Sequence, residues 1–228
     1  MSDMMRSNAG GTRLHALRSQ LLAEADITNV QNQSLIQSRR EQICEAALEL
    51  FLEKGFAATT IRDICARSGV NQASIYDYIA NKNDILRRLL NQLWFREDVP
   101  TLQGVLLDQS LSLEDALEQY LRESWDAKRQ GTLLAYRCVP HMQPEDRKAL
   151  HAREIAVMKD LSEQLALRLD LPDDDQRLDI MANMMVFLSA FGPMRDWLAR
   201  DVENDVLVRT IAAGAAAMIR SLTDRPQA

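Results

Sequence analysis

The stretch Thr60–Lys82, TIRDICARSGVNQASIYDYIANK, constrains this chain more than any other. Ile61, Ile64 and Cys65 stand at i, i+3 and i+4, the spacing of one apolar stripe on a helix. Ser68-Gly69-Val70 interrupts that stripe. Glycine takes positive φ at no steric cost, so Gly69 suits a sharp reversal. Asn71 predicts a cap for a second helix over about Gln72–Tyr78, its side-chain oxygen accepting a backbone N–H. Ile75 and Ile79 give that helix a buried side and leave Gln72, Ser74, Tyr76 and Tyr78 pointing elsewhere. A short helix with a polar outer face, held at an angle by a glycine turn, matches what the DNA major groove admits.

Around this stretch the 3.6-residue period dominates. Arg39–Lys54 carries Ile43, Ala46, Ala47, Leu50 and Phe51 on one face, with Gly55 as its C-terminal stop. A helix opening near Asn81-Lys82 contains Ile85, Leu86, Leu89, Leu90, Leu93 and Trp94 and ends before Pro100. Farther on, Ser112 with Asp115 opens a helix to about Arg129, which Gly131 is expected to break. A short helix Thr132–Val139 stops at Pro140. Pro144 starts a long helix to about Leu171 with the stripe Leu150, Ile155, Met158, Leu161, Leu165 and Leu169. Pro172 and Asp173–Asp175 precede a helix carrying Leu178, Met181, Met184, Met185, Leu188 and Phe191. Gly192-Pro193 is expected to kink or break it, with Met194–Arg200 resuming. The last helix, about Asn204–Leu222, is rich in alanine.

Glycine (8) and proline (6) are scarce and β-branched runs are rare, so the fold class is all-α. The expected division is residues 1–37 as an N-terminal arm, 38–90 as a three-helix domain, and 91–228 as a larger helical domain. Within the arm, Thr12–Glu24 reads as an amphipathic helix through Leu14, Leu17, Leu21 and Leu22, carrying Arg13, His15 and Arg18. It is either a solvated or packed tail, or an arm touching the DNA backbone or minor groove.

The net charge of −6 argues against a protein that coats nucleic acid generally, but the charge is uneven. Residues 38–90 carry eight Lys or Arg against seven Asp or Glu, and residues 91–228 carry sixteen against twenty-three. Cys44, Cys65 and Cys138 are too few for a disulfide framework and read as buried thiols of a reducing, cytoplasmic compartment. The start, MSDMMRSNAGG, has no apolar core of a signal peptide, and no stretch is apolar for long enough to span a membrane. His15, His141 and His151 have no metal-ligand partners at standard spacing. No phosphate loop, nucleophile elbow or dinucleotide turn is present, so neither an enzyme, a metal nor a cofactor is expected.

Residues Arg39 to Leu90 resemble the DNA-binding domain of the TetR family of bacterial transcription regulators. The resemblance lies in AALELFLEKGFAATTIRDIC, the Ala66–Val70 turn with Gly69, Ile75-Tyr76-x-Tyr78, and Asn81-Lys82-x-Asp84-Ile85-Leu86, in that order. Asp77 stands where a neutral residue or His is frequent, and Ile79 where Phe is frequent. Asp77 either pairs with a nearby Arg or accepts a hydrogen bond from a cytosine amino group.

The resemblance implies a homodimer whose N-terminal helix-turn-helix domains bind a palindromic operator. It implies a second domain that holds a small-molecule effector and the dimer interface. By match to the family's motif, Arg62 and Gln72 are the base readers, and Ala73 contacts a thymine methyl. Thr60, Ser74, Tyr76, Tyr78 and Lys82 are phosphate contacts. Thr60 is alternatively only a cap, and Tyr76 largely core. The region from Ala135 to Arg147, with Phe187–Trp197, is similar to regulators of fatty-acid, steroid and aromatic catabolism. Several of those sense acyl-CoA thioesters. Trp125, Tyr136, Met158, Met184, Phe187 and Phe191, as aromatic and methionine residues, are expected either to line an apolar ligand pocket or to be core, and by that likeness Arg137, Arg147 and Arg153 are candidates to face an anionic group. The function expected is a ligand-released repressor. The rivals are an activator of the same fold and a helical small-molecule-binding protein without specific DNA binding.

Overall fold

A computed structural model describes residues 21–27, 33–96, 98–197 and 199–224. Most of the helix expected over Thr12–Glu24 lies outside the described residues, and residues 21–24 have no regular secondary structure. Among the described residues there are nine α-helices and no strand. In chain order they are α1 (Gln33–Lys54), α2 (Ile61–Ser68), α3 (Lys82–Leu93), α4 (Leu102–Leu107), α5 (Leu113–Ala127), α6 (Arg129–Cys138), α7 (Pro144–Leu169), α8 (Gln176–Arg195) and α9 (Asn204–Arg220). Two single 3-10 turns, Ile75–Asp77 and Val139–His141, complete the set.

The chain forms two compact units. The first holds residues 21–96 and 130–150. Its core joins Ile43, Ala47 and Phe51 of α1, Ile64 of α2, Ile75 and Ile79, Ile85 and Leu90 of α3, and Leu134, Cys138 and Leu150. Local chemistry sets its boundaries. Gly55 ends α1 at φ +88°, a left-handed conformation that only glycine takes freely. Thr59, buried, donates its hydroxyl to Gly55 O at 2.9 Å. Asn81 caps α3 by accepting from Asp84 N at 3.0 Å.

Gly131 does not break a helix. The helix α5 stops at Lys128, whose N–H bonds Ser124 O, and Gly131 lies inside α6. A Cβ at Gly131 would stand 2.3 Å from Leu93 O, so the residue is glycine because the α3 backbone passes against it.

The second unit holds the described residues of 98–129 and 151–224. Its core gathers Leu117, Leu121 and Trp125 of α5, Leu161 and Leu165 of α7, Leu178, Met181 and Met185 of α8, and Val208, Ala212, Ala215, Ala216 and Ile219 of α9. Ala212, Ala215 and Ala216 of α9 are thus buried within the chain, whereas Gly214 and Ala217 are exposed. The helix α7 supplies Leu150 to the first core and Leu161 to the second. Ile155, expected on its buried stripe, is 54% exposed. Five residues beyond Leu150, it sits roughly 140° around the helix from it.

Gly192-Pro193 does not interrupt α8 either; the helix continues to Arg195. Proline lacks the N–H that would bond the carbonyl four residues back, here Ser189 O. That carbonyl instead accepts Trp125 Nε1–H at 2.7 Å. Gly192 makes room for the ring, since a Cβ there would stand 2.4 Å from an indole carbon.

Candidate nucleic-acid interface

The site is built on α2 and the turn after it, in the first unit. Thr60 and Asp63 form a reciprocal capping box: the Thr60 hydroxyl accepts Asp63 N–H at 3.1 Å, and Thr60 N–H bonds Asp63 Oδ2 at 2.8 Å. Lys54 at the end of α1 meets Asp63 Oδ2 at 2.8 Å. That ammonium, then the Thr60 N–H and hydroxyl, hold the Asp63 carboxyl well below the usual carboxylate range. Arg67 bonds both Glu49 (2.6 Å) and Glu53 (3.1 Å) of α1, fixing the other end of α2. Gly69 then turns the chain at φ +72°, its N–H on Cys65 O.

Beyond Gly69 the chain does not form the α-helix expected over Gln72–Tyr78. Asn71 Oδ1 accepts from Ala73 N at 2.9 Å, an Asx turn, and Ser74 donates both N–H and hydroxyl to Asn71 O. Asp77 N bonds Ser74 O and Tyr78 N bonds Ile75 O, so the segment is a turn plus one 3-10 turn. The reason is local: short polar side chains at both ends offer the backbone nearer partners than the i−4 carbonyl. Ile75 and Ile79 are fully buried beneath it, as their spacing predicts.

Above them, Arg62, Gln72, Ala73, Tyr76 and Asp77 are exposed, Tyr76 at 55%. None of the side chains of Arg62, Gln72, Tyr76 or Asp77 has a hydrogen bond or ion pair among the described residues. The Arg pairing considered for Asp77 is therefore not made among them. The other expected contacts are engaged inside the protein. The Thr60 hydroxyl serves the capping box, and the Ser74 hydroxyl serves the turn. Tyr78 is half-buried, its carbonyl accepting Arg40 Nε at 2.9 Å. Lys82 points inward: Nζ donates to Phe56 O (2.8 Å) and Thr59 O (2.7 Å) and lies 4.4 Å from the centre of the Phe56 ring. Burial pushes its pKa down. Sequence spacing carried no sign of that direction, because both carbonyls belong to a loop more than twenty residues away.

The expected ligand-lining residues fall into both units. Tyr136 and Arg137 lie on α6 in the first, where Arg137 Nη1 donates to Leu52 O at the end of α1. Arg147 is exposed on α7, and Arg153 is half-buried. In the second unit Trp125 is core, and Met158 packs partly buried against that core. Met184 and Phe187 are exposed at 42% and 58%. Phe187 and Phe191 come together with Met194 and Arg195 around an open crevice of about 250 Å³. No cluster of metal-ligating groups occurs among the described residues. The three cysteines are buried free thiols, and burial pushes Cys44 up to about 12. No helix among the described residues is long and apolar enough to cross a membrane.

This geometry, a capped helix, a left-handed glycine turn and an exposed polar segment, has the plan of a helix-turn-helix unit whose second helix is shortened to a 3-10 turn. Residues 43–89 match the model of the bacterial regulatory proteins of the tetR family. The transcriptional regulator HbdR of Aromatoleum sp. (strain CIB) is 31% identical over 131 residues, 55% of each chain. The transcriptional repressor KstR2 of Rhodococcus jostii (strain RHA1) is 31% identical over 113 residues, covering 48% of this chain and 54% of that protein. The chain thus spans about half the length of these curated relatives. The crystal structure of a tetR-family regulatory protein from Rhodococcus RHA1 superposes with a TM-score of 0.60 at 15% identity, over 79% of this chain and 96% of that one, a likeness of fold. Residues 43–89 thus carry the DNA-binding region of the TetR family, and the fold is that of solved tetR-family structures.

Proposed function

We propose that this chain is a ligand-responsive repressor that binds a palindromic operator as a homodimer and is released by a small effector. The observation that carries the reading is an exposed set without side-chain partners among the described residues: Arg62 on α2, and Gln72, Ala73 and Tyr76 on the turn fixed from beneath by Ile75 and Ile79. Arg62 bonds guanine O6 and N7, Gln72 bonds adenine N6 and N7, and Ala73 meets a thymine methyl. Tyr76 faces the phosphates and sets register, while the hydroxyls of Thr60 and Ser74 hold the backbone beside it. Lys82 acts from beneath, bracing the loop that leads into Thr60.

Pairing of two copies is supported by Ile180 and Met184 of α8 and Val206 of α9, all exposed and apolar. The effector class is an acyl-CoA thioester or another large apolar molecule. Phe187, Phe191 and Met194 supply an apolar wall to the crevice and Arg195 supplies a cation for an anionic group. Effector binding shifts α3 and so changes the separation of the two reading segments, which must fit half-sites about 34–36 Å apart or a related distance.

Selection of duplexes from a random pool, followed by titration of the selected duplex, tests the reading. An inverted repeat should emerge, and Gln72→Ala should lose discrimination at one position while Tyr76→Phe weakens all duplexes alike. Sedimentation should give a dimer, and Ile180→Glu with Met184→Glu a monomer. Selection that returns no sequence preference at moderate salt would refute DNA reading, and a wild-type monomer would refute the pairing.

A further inference from the structure

Residues Leu22–Ala25 have no helix or strand, yet side chains of α3 bond the N–H and carbonyl of both Leu22 and Ala25. Asn91, 9% exposed, reads Leu22 from both sides: Leu22 N–H donates to Asn91 Oδ1 at 2.9 Å and Asn91 Nδ2 donates to Leu22 O at 3.0 Å. Asn91 Nδ2 also reaches Glu24 Oε1 at 2.9 Å. Arg88, 6% exposed, donates Nη1 to Glu24 Oε2 and Nη2 to Ala25 O, both at 2.6 Å. Ala25 N–H completes the set on Asp84 Oδ1 at 2.8 Å, and Asp84 is wholly buried. The Leu22 side chain, 5% exposed, is part of the first core.

Three polar side chains four and three residues apart on one helix, Asp84, Arg88 and Asn91, are thus buried with their hydrogen bonds directed at an extended segment. Side chains at these spacings share one face of a helix. Remove that segment and Asn91 loses every partner it has here, while Asp84 and Arg88 keep only each other, at 3.3 Å, and Asp84's contacts at the head of its own helix. Buried polar groups are retained where they are satisfied. This face of α3 is a site for an extended peptide bearing a leucine and, two residues on, a glutamate, and the chain's own residues occupy it.

The same carboxylate faces the reading segment. Asp84 Oδ2 accepts Ala80 N–H at 3.1 Å, two residues beyond Tyr78, while Oδ1 takes the Ala25 N–H. We propose that Leu22–Ala25 is a strap that fixes Asp84 and, through it, the exit of the reading segment, so that strap occupancy positions the DNA-contacting residues. Glu24, Arg88 and Asn91 are then positioning residues that touch no DNA. The strap's effect on DNA rests on the reading role proposed for Arg62 and Gln72, whereas the strap itself rests on its hydrogen bonds alone.

Hydrogen exchange on the full-length protein separates the two. The amides of Leu22 and Ala25 should be protected although they lie in no regular element. Asn91→Ala, which removes a side chain whose hydrogen bonds among the described residues all go to the strap, should abolish that protection. It should also speed exchange at Ala80, which lies before the start of α3 and whose N–H is held by Asp84. The milder Glu24→Gln should do the same in part and serves if Asn91→Ala does not fold. At a temperature where circular dichroism shows both variants fully helical, affinity for the duplex selected by the unaltered protein should fall at least tenfold for Asn91→Ala. Retained protection at Leu22 and Ala25 would overturn the strap. Lost protection there with Ala80 exchange and affinity unchanged would overturn its positioning role. If the unaltered protein selects no duplex, the DNA-reading proposal fails, and the Ala80 amide still decides whether the strap acts on the reading segment.

Discussion

The two units fill their interiors by different chemistry. The first places charge inside: Asp84, Arg88 and Asp146 are buried, and Arg87 grips Asp146 at 2.8 Å. The second, among its described residues, buries only neutral polar groups, Gln103, Ser124 and Ser162. Conversely, the second leaves large apolar side chains in the open, Leu167, Ile180 and Phe187 among them, whereas the exposed large hydrophobics of the first are fewer, Leu21, Leu35, Tyr136 and, most exposed, Tyr76 of the reading segment. Buried charges are costly unless paired in good geometry, so they hold one arrangement strictly. Apolar and small residues pack with less directional demand. The first unit is therefore built to hold a polar face in one shape, and the second to present an apolar one.

This contrast predicts where mutations should bite. The largest effect should come from Trp125→Ala in the second unit, about 3–5 kcal/mol by urea unfolding, from lost ring burial and a residual cavity. It also strands Ser189 O, the carbonyl that Pro193 cannot serve. Adding Pro193→Ala to Trp125→Ala restores an N–H for that carbonyl and should recover about 1 kcal/mol. A double variant no more stable than the single one would show that the proline and the tryptophan are not coupled. In the first unit the corresponding point is Gly131, where a methyl would meet α3 backbone rather than a movable side chain. Gly131→Ala should cost about 1–3 kcal/mol. Wild-type stability in that variant would mean that α3 and α6 separate freely.

These positions also mark what was legible in the sequence. Helix ends written in neighbouring residues came through: Thr60, Gly55, Gly69, Asn81, and Ser112 with Asp115 all act as helix ends or turns, and the structure adds Asp63 as the partner of Thr60. Glycine and proline with distant partners did not. Gly131 and Gly192-Pro193 look like breaks in the chain and are clearances for Leu93 and Trp125. The reading segment shows the same limit, since Ile75 and Ile79 fix its buried side but Asn71 and Ser74 decide that it is a 3-10 turn. Leu22 was rightly apolar and wrongly helical, because the partners that hold it extended stand nearly seventy residues away. Lys82 matched a motif by position, and only the fold reveals the carbonyls it faces.

Lys82 provides the next test, because the two roles differ in what salt does. As a brace, Lys82→Met should cost about 1–2 kcal/mol of stability through lost charge-assisted hydrogen bonds. The salt dependence of duplex binding should stay as it is. As a phosphate contact, the same substitution should reduce the slope of log affinity against log salt by about 0.9. A reduced slope would return Lys82 to the DNA surface and show that its ammonium exchanges carbonyls for phosphate on binding.

The smallest expected effect is a pH dependence that sets one helix cap against another. Asp63 at the start of α2 and Asp175 at the start of α8 are both held below the ordinary carboxylate range. For each, the folded protein binds the proton more weakly than the unfolded chain, so the stabilisation is present above the unfolded pKa and fades as pH falls through the folded one. Their partners differ. Asp63 is held first by Lys54, on another helix, and Asp175 by Arg177, two residues along its own. Protonating Asp63 loosens the junction of α1 and α2, whereas protonating Asp175 frays only the first turn of α8. The gap in thermal midpoint between wild type and Asp63→Asn should therefore narrow as pH drops below about 4. Over the same range hydrogen exchange at the Ser74 and Tyr78 amides should report loosening of the reading segment. Asp175→Asn should show a smaller gap throughout and no change at those amides. Equal behaviour of the two variants would mean that the Lys54–Asp63 bridge adds nothing beyond a local cap, and the first unit's tighter specification would then rest on its buried charges alone.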